Sequence, residues 1–206
     1  MKHLEDEKVS SSTALALLGQ QAASLIPVLS QVVGTYVAFV GERRLIRIEK
    51  FMREISENFD EVLVIADSNR ADVEDLTEMV LSKIILVQNE RKIEYFKQLF
   101  TNYLSGQVDG NFDEISEFVN SLDSLSTVDL ECLSKLYSES RVWTMREIKG
   151  ELDENIYFAS IDKLEKLHYL DTVKIDMTLE FKRNYNNWSF RITSLGEKFC
   201  NLILEA

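Results

Sequence analysis

The stretch Val173–Phe181 reads VKIDMTLEF. Val173, Ile175, Met177, Leu179 and Phe181 alternate strictly with Lys174, Asp176, Thr178 and Glu180. Period two is the pattern of a strand with one buried face. The odd-numbered face is therefore expected to pack on neighbouring helices. KRNYNN (182–187) follows as a loop, and Trp188, Phe190 and Ile192 alternate again, so the segment reads as a β-hairpin.

Working outward from the hairpin, the flanking sequence is marked by helix starts. Ser126-x-x-Asp129 and Thr144-x-x-Glu147 have the capping-box spacing, in which a hydroxyl and a carboxylate each satisfy an orphaned backbone N–H. They predict helices over VDLECLSKLYSE and MREIKGEL. Asp153–Asn155 turns the chain into a third helix, IYFASIDKLEKLHYL, and Ser194-x-x-Glu197 caps a last one, LGEKFCNLIL. Helix, short extended VWT, helix, turn, helix, β-hairpin, helix is the order of a winged helix. A winged-helix (α+β) domain is expected over 125–206, with the hairpin as its wing.

Upstream the period changes to that of helices. Leu45, Ile48, Met52, Ile55, Phe59, Val62 and Ala66 are spaced alternately by three and four, a coiled-coil seam that needs a partner along a helix of about 42–66. DSNRAD ends that helix and Asp72 caps the next, expected over about 72–105 through Leu76, Val80, Ile84, Val87, Phe96, Leu99 and Tyr103. QNERK (88–92) interrupts it with five polar residues, read as a solvated face. Joined by a short loop, the two helices are expected to pack antiparallel. A loop signal from Gly106, with a short helix that Asn111 caps, puts the domain boundary near Ser124, which makes 1–124 a helical assembly domain.

The run Val9–Gly41 contains no charged side chain. Pro27 lacks an N–H and disfavours helix before it, so two halves of about a dozen residues form a hairpin over 13–41, each too short to cross about 30 Å of hydrocarbon. Gln20, Gln21, Ser24, Ser30, Gln31 and Thr35 make the run polar for a bilayer, whereas Arg43, Arg44 and Arg47 would suit a cytoplasmic flank. The leading expectation is a buried hairpin or self-association surface. Membrane insertion and a targeting segment stand behind it.

Composition agrees with this outline. One proline and seven glycines in 206 residues leave little turn material, so the chain is expected to be mainly α, a helical bundle or hairpin followed by the winged helix. Net charge is −12, with 12 Lys/Arg against 21 Asp/Glu in residues 1–125 and 11 against 14 in residues 126–206. Such a chain repels phosphate backbones except through a local basic patch. Cys132 and Cys200 lie far apart in apolar helical patterns, as buried thiols of a reducing compartment do, and the amino terminus carries no cleavage signal, so a cytoplasmic protein is expected.

Few catalytic groups are on offer. His3 and His168 are the only histidines, and no metal-binding, phosphate-cradling or dinucleotide motif occurs. DGNFDEISEFVN and DSNRADVEDLTE imitate calcium loops, but Glu114 and Asp72 replace the sixth-position glycine. No enzyme activity, catalytic residue, metal or cofactor is expected.

VWTMREIKGEL, LEKLHYLDTV and FRITSLGEKFCNLI resemble the corresponding segments of bacterial winged-helix domains, in which a Thr-x-Leu-Gly element follows the second wing strand. The amino-terminal half more loosely resembles a group of uncharacterised bacterial and prophage proteins. Those have an LIPxxxxxV-like hairpin, helices like ERRLIRIEKFMREI and ERKIEYFKQLFTNYL, and a carboxy-terminal winged helix. The resemblance carries no established activity and implies a place in phage–host conflict or its regulation.

The expected function is that of a non-enzymatic interaction protein, acting as a homo-oligomer or docking on a protein partner. Its expected assembly surface is Leu25, Ile26, Val32, Val33, Tyr36, Phe39, Leu45, Ile48, Met52, Ile55 and Phe59. One alternative is a dimeric DNA-binding regulator. Its nucleic-acid contacts would come from Ser160, Lys163 and Lys166 on the third helix, and from Lys182, Arg183, Asn184 and Tyr185 at the wing tip. The other is a membrane-acting effector that inserts residues 13–41.

Overall fold

The computed structural model describes residues 42–57, 70–106, 111–139, 141–144, 147, 153–174 and 188–204. Internal contacts divide the chain into two units between Ser116 and Glu117.

In the amino-terminal unit, the three-four spacing folds as α1 (Glu42–Glu57). It packs against α2 (Arg70–Ile84) and α3 (Glu90–Leu104), which also pack on each other. Ile48, Met52 and Ile55 are buried with Phe51, whose ring lies 6.1 Å from that of Phe100. Val73, Leu76, Val80 and Ile84 supply the core from α2, and Phe96, Leu99 and Phe100 supply it from α3. The seam of α1 thus meets its partners within its own unit.

A single helix over 72–105 is not what forms. α2 stops at Ile84, the chain turns at Ile85–Leu86, and Asn89 starts α3 by accepting the Lys92 N–H at 3.3 Å. QNERK therefore supplies the cap, Asn89, and the first residues of α3, Glu90–Lys92. Across the break, Arg47 Nη1 donates to the carbonyls of Ile85 at 3.1 Å and Val87 at 2.9 Å, bringing a cation to the negative end of α2. Lys97, between Glu94 at 2.5 Å and Glu54 at 3.3 Å, ties α3 to α1. Burial would lower its ammonium, but the two carboxylates hold it above its ordinary value.

The carboxy-terminal unit begins within α4 (Phe112–Ser124), which Asn111 starts by accepting the Glu114 N–H at 2.8 Å. α5 (Thr127–Ser138) opens with the full reciprocal capping box. Ser126 N donates to Asp129 at 2.7 Å, and Asp129 N donates to Ser126 Oγ at 3.2 Å. β1 (Trp143–Thr144), α6 (Glu154–Lys166), β2 (Leu170–Lys174), β3 (Trp188–Ile192) and α7 (Ser194–Leu204) complete it. Of the helix expected over MREIKGEL only Glu147 is described, and it is helical. Glu147 reaches back to the Thr144 N–H at 2.8 Å, as the cap spacing predicts.

The sheet is antiparallel in the order β1-β3-β2. Trp143 pairs with Phe190, Thr172 with Phe190 and Leu170 with Ile192. Cross-strand partners share a face, so in the described part of β2 it is even-numbered Leu170 and Thr172 that side with buried Phe190. Thr172 donates its hydroxyl to Glu165 of α6, which turns that face toward the helix. Val173, the one described residue of the expected odd-numbered face, is half-buried like Thr172 and pairs with Ser189, which is itself fully buried. Residues 175–187 lie outside the described ones.

The helix expected through Leu170 ends at Lys166. His168 takes φ 59°, its N–H meets the Glu165 carbonyl at 2.9 Å, and the Tyr169 N–H meets Leu164 O at 2.9 Å. This is a Schellman ending with a histidine where glycine is usual.

Thr193, one residue before the expected Ser194, caps α7. Its hydroxyl accepts the Gly196 N–H at 3.0 Å and donates to the His168 carbonyl at 2.6 Å, while its own N–H meets Tyr169 O at 3.0 Å. Gly196 passes so close to the Tyr169 carbonyl that no side chain fits there. Above this crossing, Tyr169 stacks on Phe199 with centroids 4.6 Å apart, and Phe118 of α4 tilts against both. The Thr-x-Leu-Gly element thus locks two chain reversals together.

Among the described residues, seven helices and one small antiparallel sheet make a mainly helical protein, and no helix is long and apolar enough to cross a membrane.

Candidate functional site

α6 carries the only proposed contact residues of the carboxy-terminal unit that are described. Asp153 starts it, accepting the Asn155 N–H at 2.8 Å, and Ile161 and Leu164 anchor its inner face at 0% exposure. Asn155, Ile156, Ala159 and Lys166 are exposed, and Asp162 and Lys163 are half-buried. Ile156 shows 46% of its surface, a large apolar side chain on the outer side of a helix.

Two of the three expected cationic or polar contacts on this helix are engaged inside the unit. Ser160, expected on the outward face, is only 3% exposed, and its hydroxyl bonds to Asp129. That expectation is corrected: residues 157, 160, 161 and 164 trace the inner stripe of a 3.6-residue helix, with Ser160 on it. Lys163 Nζ lies 3.0 Å from Asp129 Oδ2 and also donates to the Ser124 carbonyl. Lys166 remains exposed.

Asp129 is the centre of this arrangement. Its buried carboxylate receives the Ser126 N–H, the Ser160 hydroxyl and the Lys163 ammonium, so one side chain joins the start of α5 to the middle of α6, and Lys163 extends the link to the end of α4 through the Ser124 carbonyl. Burial alone would raise its pKa. The hydrogen bonds from Ser160, Ser126 and Lys163 outweigh burial and hold it below the ordinary carboxylate value. Ser160-x-x-Lys163 also has the spacing that brings a hydroxyl and an amine to one side of a helix. Here both serve Asp129 and the hydroxyl is buried, so the cluster joins helices instead of presenting a nucleophile.

A second cluster escaped the sequence reading. The Arg141 guanidinium lies 3.8 Å from the centre of the Trp143 ring, with its Nε 2.7 Å from Glu139 and its Nη1 2.8 Å from Glu147. Lys135 adds a second cation 5.8 Å from the same ring and donates to the Glu147 carbonyl at 2.7 Å. The Thr144 N–H and hydroxyl and Arg141 together depress the Glu147 carboxyl to about 2. The capping spacing pointed to Glu147, but Arg141 comes from a different turn and no local pattern announces it.

Both cysteines are buried and neither forms a disulfide, and desolvation pushes the Cys132 thiol up to about 12. Among the described residues, no three His, Cys, Asp or Glu side chains form a metal-holding group. Lys182, Arg183, Asn184 and Tyr185 lie outside the described residues, as do Leu25, Ile26, Val32, Val33, Tyr36, Phe39 and Phe59. Leu45 lies on α1 with its side chain undescribed. Ile48, Met52 and Ile55 are at 0–3% exposure, so as an assembly surface they are corrected: the unit's own core already covers them.

No protein-family model matches the chain, and comparison with curated proteins and with solved structures returns no significant match.

Proposed function

We propose that the chain is a non-enzymatic interaction protein: an amino-terminal helical assembly module followed by a winged helix that docks on protein, with a place in phage–host conflict or its regulation. The order α5, β1, α6, β2, β3, α7 and the sheet order β1-β3-β2 support the winged-helix reading. The observation that carries the docking reading is the outward face of α6. It opens on Ile156 and Ala159, while Lys163 is drawn back onto Asp129. A helix that grips DNA offers cations to phosphates and polar groups to base edges, and this face is apolar at one end.

Sedimentation equilibrium of the full chain tests the assembly half of the proposal. Self-association at high micromolar concentration is expected, and a strict 23.8 kDa monomer throughout would contradict it.

A dimeric DNA-binding regulator is the second reading, favoured by Lys166, exposed on the same face. Replacing Lys166 with glutamate separates the two, because it weakens phosphate binding and leaves an apolar docking contact at Ile156 in place.

A further inference from the structure

We draw no further inference here: the strongest candidate, the exposed aliphatic pair Ile46 and Leu86 beside the Arg47 clamp at one end of the amino-terminal helices, is an unpartnered apolar patch, and nothing in the structure shows what covers it.

Discussion

Replacing Gly196 with alanine drives a methyl group into the carbonyl of Tyr169 and to 2.8 Å from Ile192 Cγ1. The Tyr169 obstacle is backbone, so no rotamer change relieves it, and either α7 or the Tyr169 turn must shift. Overpacking of this kind costs about 1–3 kcal/mol. A shift also stretches the 3.0 Å bonds from Thr193 N to Tyr169 O and from Gly196 N to Thr193 Oγ1, for about 1 kcal/mol more. Against this, alanine narrows the unfolded ensemble and returns roughly 0.5–1 kcal/mol. The net is a loss of about 2 kcal/mol, or about 8–16 °C in Tm for a unit of this size.

The assay is built into the sequence, because the only two tryptophans, Trp143 and Trp188, both lie in the carboxy-terminal unit. Thermal unfolding followed by tryptophan fluorescence therefore reports that unit alone. Ser194→Ala, at an exposed site in the first turn of the same helix, is the control. A Gly196→Ala shift under about 2 °C, less than half a kcal/mol, would refute the reasoning.

Further expectations concern the same unit and its neighbour. His168→Gly relieves the left-handed strain at φ 59° and should stabilise by up to about 1 kcal/mol, read as a higher urea midpoint at unchanged m; a lower midpoint would show that the imidazole contributes more than the strain costs. Asp129 has a folded pKa below its unfolded value near 3.9, so its contribution is complete above roughly pH 4 to 5 and is lost as pH falls through the folded value. Asp129→Asn should therefore flatten the acid limb of the stability–pH curve, and an unchanged limb would count against the cluster. Arg47→Met removes two hydrogen bonds to the end of α2 and should cost about 1–2 kcal/mol by circular dichroism, with the tryptophan-detected transition unmoved. Neither thiol should react with Ellman's reagent in the folded chain and both should react in denaturant; one fast native thiol would contradict the burial of Cys132 and Cys200.

What could be read in advance was local chemistry. Ser126 and Asp129, Thr144 and Glu147, and Asp153 mark helix starts because a cap lies within three residues of the group it satisfies. What was missed depends on partners distant in sequence or on unusual backbone. The end of α6 went unseen because histidine holds the left-handed position. Thr193 belongs to the Thr-x-Leu-Gly element, but its place as the cap of α7 was not legible, because its second partner, the His168 carbonyl, is 25 residues away. Of the odd-numbered face expected of β2 only Val173 is described, and its pairing with Ser189 is set by the long-range register with β3, which local alternation does not specify. The same limit applies to the candidate site. Ser160 and Lys163 read as outward and basic until Asp129, 34 residues from Lys163, drew them in.

Whether α6 meets protein or DNA is tested most directly by fluorescence anisotropy of the full chain with labelled mixed-sequence duplex DNA at low salt, where phosphate attraction is greatest. The account predicts no saturable binding. Saturable binding that weakens steeply with added salt and is abolished by Lys166→Glu would contradict it.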